Sequence, residues 1–117
     1  MDKIKLAKEN YIQGQLSGSS IYSPDRVDVL NTTGRIDPVD ILVIIRTCIG
    51  FTKKELNVAC GFHSNNSARI TQAESRNGSF GAVMQQRIIN ELKLPEDIFT
   101  SSTALEVFTK LDEWVQR

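Results

Sequence analysis

The clearest order along the chain is a helical spacing of apolar residues that begins at residue 37 and runs nearly to the end. Asp37 can cap a helix whose first residue is Pro38, where the missing N–H costs nothing. DILVIIRTCI then carries that helix to Gly50. ILVII alone would also suit a buried strand, but the flanking cap, proline and glycine favour a helix. FTKKEL is the sharpest helix start. Thr52 and Glu55 have the spacing of a capping box, and Phe51 and Leu56 that of a hydrophobic staple. Leu56, Ala59 and Cys60 line one face, and Gly61 ends the helix after about two turns.

Further on, SFGAVMQQRIINELKL predicts a helix over 80–93. Phe80, Met84, Ile88 and Leu92 recur at four-residue intervals, with Val83 and Ile89 widening the stripe. PEDIF supplies a short helical turn. Thr103 caps a last helix over 103–116, with Glu106 three residues on. Its stripe is Leu105, Phe108, Leu111, Trp114 and Val115, with Ala104 and Val107 beside it. That stripe is either core or the seam of a dimer.

The first 36 residues carry weaker signals. MDKIKLAKENYI suits one short helix with Ile4, Ala7, Tyr11 and Ile12 on one side. GQLSGSSIYSPD is rich in Gly and Ser and reads as loop. RVDVLNTTGRID alternates at Val27 and Val29 and has a turn-like NTTG, which suits a small hairpin. An N-terminal arm over 1–36, ordered or mobile, is the other reading. Residues 37–117 then form one all-α domain of four to five helices, the arm being irregular and the last helix an addition.

Between the helices at 53–60 and 80–93 lies GFHSNNSARITQAESRNG, polar but for a few positions. Two short helices joined at a glycine, the second polar on its outer side, describe a helix-turn-helix. In that motif the first helix holds the second, and the second projects polar side chains into the major groove of duplex DNA. Ile70 and Ala73 would face inward and fasten the second helix.

At these residues the chain resembles the phage-repressor (Xre/Cro-like) helix-turn-helix family, over about residues 41–99. The likeness lies in IIRTCIGFTKKELNVACGF, SARITQAESRNG and QQRIINELKLPEDIF. Arg46, Gly50, Phe51, Thr52, Leu56, Gly61, Ile70, Glu74, Ile88 and Leu92 fit the family pattern. Two departures stand out. Lys53 replaces the family's usual glutamine, and His63-Ser64-Asn65-Asn66 lengthens the turn, so the second helix starts between Ser64 and Ser67. The resemblance implies a sequence-specific DNA-binding transcriptional regulator, a repressor acting as a homodimer on a palindromic operator of double-stranded DNA. It implies no catalytic residue, cofactor or metal. Members of the family also include antitoxins. The alternative is therefore a protein-interaction module, whose protein partner would be a toxin or polymerase.

The expected DNA contacts follow. With a helix starting near Asn66, Ser67, Ala68, Arg69 and Gln72 occupy its outer face. Arg69 can grip guanine with two bonds and Gln72 can read adenine. Ser64, Asn65, Asn66 and Ser67 lie at the helix start, where phosphate and base contacts are made. Thr52, Lys53 and Lys54 meet the backbone, and Arg76 adds to the positive surface. The bland reading of each is a solvated surface residue.

Composition changes this picture little. At 117 residues and 40% apolar content, one globular domain with a real core is expected. Zero net charge argues against a non-specific nucleic-acid coat. The distribution is uneven. Residues 52–78 hold Lys53, Lys54, Arg69 and Arg76 against Glu55 and Glu74, while residues 79–117 hold four positive and six negative side chains. No apolar run is long enough for a membrane span, and MDKIKLAKEN lacks the apolar stretch of a signal peptide. A cytoplasmic protein with Cys48 and Cys60 as buried free thiols is expected. Cys60-x-x-His63 has no second ligand pair at zinc spacing.

Overall fold

A computed structural model of the chain describes residues 2–17, 36–62, 68–75 and 80–117, with the side chains of all but 15–17, 68 and 69. Among the described residues every regular element is helical. They are α1 (Lys3–Ser17), α2 (Pro38–Cys48), α3 (Lys53–Ala59), α4 (Ala68–Glu74), α5 (Ala82–Leu92), a single 3-10 turn (Ile98–Thr100) and α6 (Ala104–Val115). The hairpin expected around Val27 and Val29 lies outside the described residues.

α2 sits at the centre. Ile41, Leu42, Ile44, Ile45, Cys48 and Ile49 are all buried, and α1, α4, α6 and the 3-10 turn pack around it. Its start is doubly secured. Asp37 accepts from the Asp40 N–H at 2.9 Å, and Asp40 accepts from the Asp37 N–H at 3.2 Å. This capping box was hidden because Asp stands at both of its places, where Ser or Thr and Glu or Gln are usual. Just before it, the Ile36 N–H donates to the Ser102 carbonyl at 3.1 Å, which ties the entry of α2 to the entry of α6.

The short helix expected over MDKIKLAKENYI is present, so the first half of the N-terminal arm is not irregular. α1 is a helix of 15 residues that continues through Gly14 into the Gly/Ser segment expected to be loop. Its Ala7 and Tyr11 are buried in the common core, while Ile12, assigned to the same side, is exposed. Tyr11 donates to the Asp112 carboxylate on α6 at 2.7 Å. Burial, reinforced by that bond and by the neighbouring carboxylate, raises the Tyr11 phenol far above its ordinary value and keeps it protonated.

Two apolar assignments are also corrected. Val83 and Leu105 are exposed, not part of their stripes. At about 100° per residue, Val83 points nearly opposite the line from Met84 to Leu92, and Leu105 stands well off the line of Ala104, Phe108 and Leu111. α5 also starts later than expected, at Ala82 after Gly81, and Phe80 instead meets Phe99 edge to face at 5.3 Å. Thr103 caps α6 as expected, but Glu106 reaches back to the Ser102 N–H rather than to Thr103.

The face of α6 divides between core and seam in favour of core. Leu111 and Trp114 are fully buried within the single chain. The Trp114 indole donates to the Leu92 carbonyl at 3.0 Å, covering the end of α5. Neither residue is free to form a dimer seam.

Candidate nucleic-acid interface

α3 is a helix of seven residues, too short to persist alone. Its ends explain why it forms here. Thr52 Oγ1 accepts from the Glu55 N–H at 3.0 Å, and Glu55 Oε1 accepts from the Thr52 N–H at 2.9 Å. Phe51 and Leu56 are both buried, as the staple requires. At the other end the Phe62 N–H donates to the Asn57 carbonyl and the Gly61 N–H to the Val58 carbonyl. That pair of bonds is a Schellman ending, and it needs the left-handed backbone that Gly61 adopts at φ +73°. Leu56, Asn57 and Cys60 point inward, while Thr52, Lys53 and Lys54 are exposed.

α4 packs directly on α3 and α2. Ile70 and Ala73 are buried beneath it, as expected. Burying one isoleucine of this kind stabilises by about 1.5–3 kcal/mol. A second fastening comes from charge. Arg46 on α2 grips Glu74 with two bonds, Nε to Oε2 at 2.5 Å and Nη2 to Oε1 at 3.0 Å. Its remaining Nη1 donates to the Phe51 carbonyl at 3.0 Å. One guanidinium thus joins α2, the start of α3 and the end of α4. Both partners are largely screened from water, with 19% and 7% of their side chains exposed, so the forked geometry is held where solvent competes little. The sequence pattern marked Arg46 and Glu74 separately; 28 residues apart, they carry no local signal that they are partners.

Gln72 is exposed, on the side away from Ile70 and Ala73. Ser75 beside it donates its hydroxyl to the Gln72 carbonyl at 3.2 Å. Of the expected contacts, then, Thr52, Lys53, Lys54 and Gln72 are solvent-facing on two adjacent, directly packed helices. Ser64, Asn65, Asn66, Ser67 and Arg76 lie outside the described residues, as do the side chains of Ala68 and Arg69. The helix start expected between Ser64 and Ser67 lies there too; the described part of α4 begins at Ala68.

Sequence reasoning missed Arg87. Its Nε donates to the Cys60 carbonyl at 2.9 Å and its Nη2 to the Gly61 carbonyl at 3.2 Å, with the guanidinium 6.0 Å from the Phe62 ring. A Cβ on Gly61 would come within 2.9 Å of that guanidinium, which would have to shift aside; it is the left-handed backbone that calls for glycine there. Cys60 is buried, and desolvation pushes its thiol up to about 12. A thiol so held is protonated near neutral pH; His63 lies outside the described residues. No helix among the described residues is long and apolar enough to cross a membrane. Comparison with family models, with curated proteins and with solved structures finds no match.

Proposed function

We propose that the chain is a sequence-specific DNA-binding regulator of the phage-repressor type, with α3 and α4 as its helix-turn-helix and a homodimer as its working form on a palindromic operator. The observation that carries the reading is the fastening of α4. It is short and outwardly polar, yet it is anchored from beneath by Ile70, Ala73 and the Arg46–Glu74 pair. A surface helix held so firmly while its outer side stays polar and exposed suits groove reading. Among the residues that support the family likeness, Arg46, Thr52, Leu56, Gly61, Ile70 and Glu74 take part in building these two helices. In this reading Gln72 meets base edges, and Lys53 and Lys54 meet phosphates. Repression follows from occupancy and calls for no catalysis.

The experiment is selection of bound duplex from a random pool, followed by titration at several salt concentrations. Gln72→Ala should leave thermal unfolding unchanged, because no apolar area is lost. It should weaken the selected site by about 1–3 kcal/mol and relax preference at one base position. Lys53→Ala should weaken all duplexes alike and lower the salt slope by about one. No selected sequence at low salt would overturn the reading.

A second reading, a protein partner, has one observation in its favour. Val83 is 88% exposed at the rim of an open groove of about 470 Å³ that Phe62, Met84 and Arg87 also line. Val83→Asp distinguishes the two: it should leave operator affinity intact under the DNA reading and abolish partner capture under the other.

A further inference from the structure

α1 crosses the C-terminal ends of both α2 and α3, and its polar side chains complete them. Each of those helices ends in the same way. α2 closes with the Phe51 N–H on the Arg46 carbonyl and the Gly50 N–H on the Thr47 carbonyl, with Gly50 at φ +70°. α3 repeats the pattern through Phe62, Gly61, Asn57 and Val58. A Schellman ending leaves the carbonyls beyond it without backbone donors. Here those carbonyls are taken by side chains from elsewhere. Asn10 Nδ2 donates to the Ile49 carbonyl at 2.8 Å, and Lys3 Nζ to the Ala59 carbonyl at 2.7 Å. Arg87 from α5 takes the next two, those of Cys60 and Gly61.

Lys3 and Asn10 are seven residues apart on α1, two helical turns or about 10 Å along one face, so a single helix face reaches the ends of both α2 and α3. Glu91 joins the two cations at α3. It lies 2.6 Å from Lys3 Nζ and 3.9 Å from Arg87 Nε. The positive side chains also sit at the negative end of the α3 dipole, where cations are favoured.

We propose that Lys3, Asn10 and Arg87 are positioning residues. Lys3 and Arg87 hold the exit of α3 in one pose and Asn10 holds the exit of α2, and together they set the pose in which α3, and the α4 packed on it, meets the DNA. The role in binding rests on the DNA-binding reading above; the holding of the α3 exit does not. Among the described residues none of the three touches a groove-reading side chain, and they act through the carbonyls of Ala59, Cys60, Gly61 and Ile49.

Two measurements on the full chain test this. The first is amide hydrogen exchange by NMR at Gly61 and Phe62, whose N–H groups close α3. Lys3→Met and Arg87→Met should each speed exchange there by about tenfold, the loss of a charge-assisted bond in a partly exposed setting, while amides of α6 keep their rates. Arg87→Lys should rescue part of the effect, since an ammonium can restore one of the two bonds but not the fork. The second is affinity for a selected duplex and for a scrambled one. The Met variants should bind the selected duplex about five- to tenfold more weakly. Their affinity for the scrambled duplex and their salt slope should stay unchanged, because the phosphate-facing lysines are untouched. Unchanged exchange at Gly61 and Phe62 would overturn the proposal, as would a uniform rise across all helices or an equal loss on both duplexes. If the unmutated chain binds no duplex, the DNA reading falls with the role in binding, and the exchange rates alone decide the holding of the α3 exit.

Discussion

The Arg46–Glu74 pair lends itself to a double-mutant cycle, because its two halves are unequal. Arg46→Met leaves Glu74 facing the interior with no guanidinium and strips the Phe51 carbonyl of its donor. Breaking a buried pair by removing one partner costs about 3–5 kcal/mol. With 19% of the Arg46 side chain exposed, water can reach part of the site, so about 2–4 kcal/mol is expected. Glu74→Met leaves an arginine that keeps its bond to Phe51 and can lean toward solvent; about 1.5–3 kcal/mol follows. The double variant puts two methionines where two charges were, and much of the loss returns. The coupling energy should be about 1.5–3 kcal/mol. Urea unfolding followed by Trp114 fluorescence supplies the values, since that indole is wholly buried and is exposed on unfolding. A coupling below about 0.5 kcal/mol, the level of an ordinary surface pair, would refute the claim that this bond fastens α4.

Neither Cys48 nor Cys60 should react with a disulfide reagent in the folded chain, and both should react together on unfolding; both are buried, and desolvation raises the Cys60 thiol to about 12. The hydrogen bond from Lys3, aided by its charge, holds the Glu91 carboxyl below its ordinary 4.5. Its contribution to stability is thus fully present above that value and disappears as pH falls through the lower folded value, so Glu91→Gln should differ from the parent at pH 7 and converge with it in acid unfolding curves. Lys93 ends α5 in the left-handed region at φ 56°, where a side chain is strained, so Lys93→Gly should raise the unfolding free energy by about 0.5–1 kcal/mol, and a lower value would count against the strain.

The helices that the sequence announced are those whose signals are local. Thr52 and Glu55 are three residues apart, Gly61 follows the last turn, and each can be recognised without knowing what lies opposite. α1 is legible as a short helix, but its full length and its partners are not, for a physical reason. Its buried residues, Ala7 and Tyr11, do not form a long stripe, Gly14 stands inside it, and its strongest bonds run to Ala59, Glu91, Ile49 and Asp112, far along the chain. The same holds for Arg87, an exposed-looking arginine on a helical face until Gly61 is brought beneath it. Val83 and Leu105 differ in the opposite direction: their apolar character suggests an inward direction, although helical geometry turns both away from the core. In the candidate site the inward residues Ile70 and Ala73 were legible from spacing, and Gln72 from its contrast with them. What spacing could not reveal is that Glu74 is part of the fastening, and not of the exposed surface.

α3 and the described part of α4, seven residues each, could not hold a defined shape unaided. In this chain their stability is supplied from their ends and undersides: a capping box and a staple at the start of α3, side-chain donors from Lys3 and Arg87 at its finish, and a guanidinium fork on α4. Of the solvent-facing side chains expected to meet DNA, Thr52 alone takes part in these devices. Lys53, Lys54 and Gln72 therefore make no described contribution to the core or to the caps, and substitutions there are free of the structural penalties that attend Arg46, Gly61 or Ile70. If the exposed sides of α3 and α4 bind duplex DNA, the separation has a consequence for specificity. The side chain at 72 can be exchanged to suit a different base step while the angle between the helices stays fixed by residues behind them. Affinity and fold then vary independently, so a series of substitutions at 72 should scatter widely in site preference and hardly at all in unfolding midpoint.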